Sequence, residues 1–141
     1  KKMKYALTIL TLFFALTTIY AQGPDADAET VTGPKISFAK SKYDFGEVNQ
    51  GEKVQYDFLY VNTGSGPLVI SDVKTTCGCT APNWSREALA PGDTATLKVV
   101  FSSVGKRGMQ NKVITVYSNA VNNPERVTLT GNVLLPSSNE Q

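Results

Sequence analysis

The chain has 141 residues, with 14 Lys and Arg against 12 Asp and Glu and no histidine. Lys1, Lys2 and Lys4 sit in the first 21 residues, which hold no acid, so the remainder carries 11 cations and 12 anions, a net charge of −1. That balance excludes a polyanion-binding domain; the missing histidine excludes Ser-His-Asp and Cys-His catalysis and every His-ligated metal site; the length suits one core.

Residues 1–21 show a charged start, an apolar run from Tyr5 to Tyr20, and Ala21. This is the pattern of a secretory signal peptide, with cleavage expected after Ala21. The apolar run falls short of the roughly 20 residues that span a bilayer, so no stable membrane insertion is expected once it is removed. A periplasmic or secreted location follows. Residues 22–34 are acidic and polar, with Pro24 and Pro34, and read as a flexible linker. A folded domain is expected over 35–135 and a disordered polar tail over 136–141.

From Lys35 onward, short β-branched and aromatic runs alternate with Gly, Pro, Asn and Asp clusters. Strands are expected at Lys35–Ala39, at Tyr43–Val48 as a short continuation, and at Lys53–Asn62. In the last, Val54, Tyr56, Phe58 and Tyr60 share one face by the two-residue period. Leu68–Thr75 follows the turn signal Asn62-Thr63-Gly64-Ser65-Gly66-Pro67, with Leu68, Ile70 and Val73 inward. Trp84–Ala90 has room for one or two helical turns at most. Thr94–Ser102 presents Ala95, Leu97, Val99 and Phe101 inward. Ser102–Gly108 reads as an exposed hairpin turn whose Lys106 and Arg107 form a solvated tip. Met109–Ser118 and Arg126–Leu134 complete the set. About seven short strands and no helical stripe point to an all-β, Ig-like antiparallel β-sandwich, with a small β-barrel as the other architecture.

Several local motifs have a physical reading. Gly64 suits a reversal where a side chain would clash. Pro91-Gly92 is a turn in which Pro presets φ and Gly allows a positive one. Asp44-Phe45-Gly46 matches the metal-binding triplet of protein kinases, but the chain lacks their His-Arg-Asp loop. Here it reads as a strand followed by a turn, with Phe45 in the core.

The order of motifs is Tyr43-Asp44-Phe45-Gly46-Glu47-Val48, Val61-Asn62-Thr63-Gly64 with Pro67-Leu68, Cys77-Gly78-Cys79-Thr80, Ala90-Pro91-Gly92-Asp93 and Val116-Tyr117-Ser118-Asn119. Together they resemble a family of secreted bacterial proteins with a Cys-Gly-Cys-Thr signature and no assigned function. That family is similar in turn to Ig-like domains of the ASH and major-sperm-protein type. The resemblance covers about residues 36–133. It implies a seven-stranded Ig-like sandwich and supplies no activity.

Cys77 and Cys79 are the one pair with chemistry of its own, and three readings stand. A short disulfide or buried thiol pair would shape the loop after the Leu68–Thr75 strand, with Gly78 permitting the bend. A thiol–disulfide couple would use both sulfurs, though without the Cys-x-x-Cys spacing. A Cu(I) site would use two soft thiolates, with Met109 as a conceivable third ligand although core packing is its commoner use. Thr80, Trp84 and Arg86 beside the pair are the partner-contact candidates. A lone Trp in a sandwich more often packs on the core than anchors a partner.

The expected function is therefore an exported, non-enzymatic Ig-like module that binds an envelope or extracellular protein or glycan and no nucleic acid. Loop ends or an exposed sheet edge are its expected contacts. No cofactor and no metal are expected. The alternative is a thiol-redox or Cu(I)-handling protein acting through Cys77 and Cys79.

Overall fold

The structure is a computed structural model that describes residues 32–136. The expected signal peptide, the linker as far as residue 31 and the tail beyond 136 lie outside the described residues. Among the described residues eight strands form: β1 (Ile36–Phe38), β2 (Lys42–Asn49), β3 (Lys53–Asn62), β4 (Ile70–Thr75), β5 (Thr80–Asn83), β6 (Thr94–Ser102), β7 (Gly108–Ser118) and β8 (Glu125–Leu134). They make two four-stranded sheets, ordered β1-β3-β6-β5 and β2-β8-β7-β4. The architecture is an all-β Ig-like sandwich, not a barrel.

Alternation places the core as the sequence predicts. Phe58 and Tyr60 of β3 face Leu97, Val99 and Phe101 of β6 within one sheet, and Ile114, Val116, Val127 and Leu129 close the core from the other. Aromatic contacts join the sheets: the Tyr43 and Tyr56 rings stack at 3.8 Å, and Phe45 lies 5.6 Å from Phe101. Phe45 reaches the interior because Gly131 has no side chain, and a Cβ there would overlap the Phe45 ring. The triplet Asp44-Phe45-Gly46 is a bulge inside continuous β2 rather than a strand followed by a turn, while Phe45 packs on the core as expected. Asp44 Oδ1 accepts the Gly46 N–H at 2.8 Å, and Gly46 has φ +68° at a bulge in β2.

The structure corrects the sequence reading in five further places. β2 pairs with β8 in parallel, so the sandwich is not wholly antiparallel. The reason is the short link 39–41, which moves the chain to the other sheet without reversing it. β5 was not expected; its four residues include Pro82 and carry no apolar alternation, and pairing with β6 makes them a strand. Residues 84–90 form no helical turn; instead Leu89 bridges to Leu68, and regular β4 begins only at Ile70. Ser102–Gly108 is a crossover between sheets rather than a hairpin, because β6 and β7 belong to different sheets. It is anchored by fully buried Ser103, whose hydroxyl lies 2.7 Å from the Glu52 carbonyl oxygen. Met109 is not a core residue: it is 77% exposed, because Gln110 takes the inward position.

The upper end of the sandwich holds the loop after β3 and the β7–β8 hairpin. Three asparagines tie it together. Fully buried Asn62 donates to the carbonyls of Gly66 and Leu89 at 2.8 and 2.9 Å and accepts the N–H groups of Gly64 and Lys35 at 3.1 and 3.3 Å. Asn119 accepts from Val69 N–H and donates to Pro67 O. Asn122 accepts from and donates to the backbone of Ile36. Gly64 sits against the backbone of Gly33 to Lys35, where a Cβ would overlap it.

Candidate functional site

The lower end holds the β2–β3 turn, the β6–β7 crossover and, at its side, the cysteine loop. Residues 76–79 carry the chain from β4, an edge of one sheet, to β5, an edge of the other. Cys77 and Cys79 form a disulfide with their Cα atoms 5.3 Å apart. The pair is half-buried, and Cys79 packs against the core.

Two threonines hold the turn. Thr75 Oγ1 donates to the Cys77 carbonyl at 2.9 Å and lies 3.3 Å from the Thr80 carbonyl. Thr80 N–H closes onto the Cys77 carbonyl at 3.3 Å. Thr80 is 4% exposed, with its Oγ1 3.7 Å from Cys77 Sγ and 4.0 Å from Cys79 Sγ. Its placement is that of an internal strut, which corrects the expectation that it meets a partner. Gly78 has neither a positive φ nor any atom within 4 Å of a Cβ position, so the bend does not depend on glycine.

Trp84 is half-buried against the core, and its indole N–H finds no acceptor among the described residues. Exposed Arg86 lies over the ring, 5.3 Å from its centroid. Of the contact candidates, then, Arg86 with one face of Trp84 reaches the surface and Thr80 does not. Among the described residues, no three His, Cys, Asp or Glu side chains gather where they could share a metal ion. Met109 lies on β7, and its exposed side chain leaves it outside the core packing first expected of it.

The Lys106-Arg107 tip belongs to a longer cationic stretch, of which the sequence reading singled out only those two residues. Residues 94–124 contain Lys98, Lys106, Arg107 and Lys112 and no acid. Lys112 Nζ lies 5.5 Å from the Phe101 ring centroid. Burial, and then the charge of Lys106, hold its ammonium below the usual lysine range. The acid-free run was visible in the sequence, but the near-neutral total charge concealed it.

This arrangement defines an Ig-like domain with a disulfide-clamped corner. Residues 36–133 match the family described as "Protein of unknown function (DUF1573)", and the chain belongs to that family. No curated protein matches the chain. Among solved structures it is similar to a protein of unknown function from Porphyromonas gingivalis W83, at TM-score 0.63 and 17% identity, covering 73% of this chain and 48% of that one. It is similar also to the ASH/PapD-like domain (PapD-like domain 7) of human CEP192, at TM-score 0.61 and 11% identity, covering 86% and 98%. A third is the secreted serine protease VesC from Vibrio cholerae, at TM-score 0.56 and 16% identity, covering 71% and 23%. The chain thus spans about half of the Porphyromonas protein and under a quarter of the protease. At these identities the likeness is one of fold.

Proposed function

We propose that this protein is an exported, non-enzymatic Ig-like module that binds a protein or glycan at the cell envelope. The observation that carries the reading is the use of its two cysteines. They are joined to each other, one of them packs on the core, and the turn between them is held by Thr75 and Thr80. The sulfurs then serve as a corner clamp, which fits an oxidising compartment and leaves recognition to the surface. A signal peptide over 1–21, cleaved after Ala21, would deliver the chain there.

The test is cross-linking in the producing cell with a tagged full-length chain, followed by identification of the captured envelope component. The Cys77→Ser/Cys79→Ser variant should capture the same component in similar yield. Loss of capture on removal of the sulfurs, or uptake of one Cu(I) per chain by the reduced protein, would turn the assignment to the thiol or copper alternative. The intact mass of the exported protein should correspond to a chain beginning at Gln22.

A further inference from the structure

Most outward-facing backbone donors on the sheet edges are already occupied or missing. On β1, the N–H and C=O of Ile36 are both taken by the Asn122 side chain. On β4, Val73 N–H is accepted by Asp72 Oδ1 at 2.9 Å. On β2, Gly46 N–H is taken by Asp44 and Asn49 N–H by Glu52 Oε2 at 2.7 Å. On β5, Ser102 N–H bonds to the Cys79 carbonyl, so antiparallel alternation turns Thr80 and Pro82 outward. Thr80 N–H is used in the turn, and Pro82 has no N–H to offer. These are the devices by which sheet edges avoid unwanted pairing.

β7 differs. β4 ends at Thr75 and the chain then leaves the sheet, whereas β7 continues below it to Gly108. Thr76 N–H donates to Val113 O and Asn119 N–H to Val69 O, so odd-numbered residues of β7 turn their backbone toward the β4 side. Met109 and Asn111 therefore direct N–H and C=O to a side that no strand of the described residues occupies. Both are exposed, and neither is charged. Lys42 and Asp44 of β2 also turn outward, but there charged side chains flank the edge and a bulge ends it.

We propose that the β7 edge at Met109 and Asn111 docks an extended acidic segment of a partner protein, added as a strand beyond the end of β4. The proposal rests on the binding-module reading and names the surface. Backbone pairing to Met109 and Asn111 supplies the register, and the exposed Met109 side chain offers an apolar contact. Charge selects the partner: Lys106 and Arg107 immediately precede this edge in a stretch without acid. The disulfide loop, which leaves β7 at Val113, stands where the added strand must stop.

The test is amide hydrogen exchange on the full-length protein with an acetylated Asp-Val-Glu-Val-Asp-Val hexapeptide amide, and with its Lys-for-acid counterpart as control. The acidic peptide should slow exchange at Met109 and Asn111 at least severalfold, with the effect weakening as salt is raised. Met109→Pro removes an outward donor and no bond to β8, and should weaken peptide binding about tenfold or more while core amides such as Ile114 keep their protection. Lys106→Glu/Arg107→Glu leaves the backbone intact and should shift preference to the basic peptide. No slowing at the two amides, equal slowing by both peptides, or binding unchanged in both variants would overturn the proposal. Envelope capture that survives Met109→Pro would sink the edge while leaving the module reading in place. Slowing at these amides without any envelope capture would leave the edge standing and the module reading unsupported.

Discussion

The two ends of the sandwich are closed by different means. The upper end is locked by polar bonds: Asn62, Asn119 and Asn122 supply eight side-chain hydrogen bonds to backbone groups, six of them joining segments far apart in sequence. The lower end has fewer such bonds, chiefly those of buried Ser103 to the Asn49 and Glu52 carbonyls, adds the local Cys77–Cys79 disulfide, and leaves the β7 edge open beside Lys106 and Arg107. The difference teaches where this domain places stability and where it leaves surface available. Orphaning a buried amide network is costly, whereas a small disulfide ring restricts few unfolded conformations.

Substitutions should expose that asymmetry. Asn62→Leu keeps the branched shape but strands the N–H groups of Gly64 and Lys35 and the Gly66 carbonyl, while the Leu89 carbonyl keeps the Leu68 N–H. The substitution should cost about 3 kcal/mol or more, read by chemical denaturation. Gly64→Ala drives a Cβ into the backbone of Gly33 to Lys35, and a loss of about 1–3 kcal/mol is expected. At the lower end, Cys77→Ser/Cys79→Ser should cost about 1.5 kcal/mol at most, from loop closure alone. Gly78→Ala, with open space at its Cβ position, should stay within about 0.5 kcal/mol. A lower-end loss that exceeded the Asn62 loss would reverse the comparison.

The smallest expected effects are in pH dependence, and they carry opposite signs. Tyr60, toward the upper end, has its hydroxyl pushed above 10.0 by burial. The unfolded chain ionises first, so this contribution to stability is complete below pH 10 and is lost as pH rises beyond it. Lys112, at the lower end, has its ammonium held below 10.5 by burial and by Lys106. The unfolded chain there binds the proton more tightly, so stability rises with pH as 10.5 is approached. Denaturation midpoints across pH 9 to 11 for Tyr60→Phe and Lys112→Met should separate the two: the first removes the alkaline loss, the second the alkaline gain.

Much of the fold could be read from residue order because it depends on short-range patterns. Two-residue alternation in Lys53–Asn62 and Thr94–Ser102 gave strands with those bounds, and the burial of Phe58, Leu97 and Phe101 followed. The need for glycine at Gly64 and a positive φ at Gly92 follow from turn chemistry. Of the candidate site, the cysteine pair and the half-buried Trp84 were visible in the same way.

What tertiary structure decided depends on neighbours distant in sequence. Thr80-Ala81-Pro82-Asn83 is a strand only because the edge of β6 accepts it. Thr80 is internal because the turn places it under both sulfurs. β2 runs parallel to β8 because the link before it does not reverse the chain. Whether Met109 lies in the core or on the surface was open to the sequence, since a single register step exchanges the two faces of a strand. The open edge is the furthest from sequence. It exists because β7 outlasts β4, a difference in length that acquires meaning only when the two strands lie side by side.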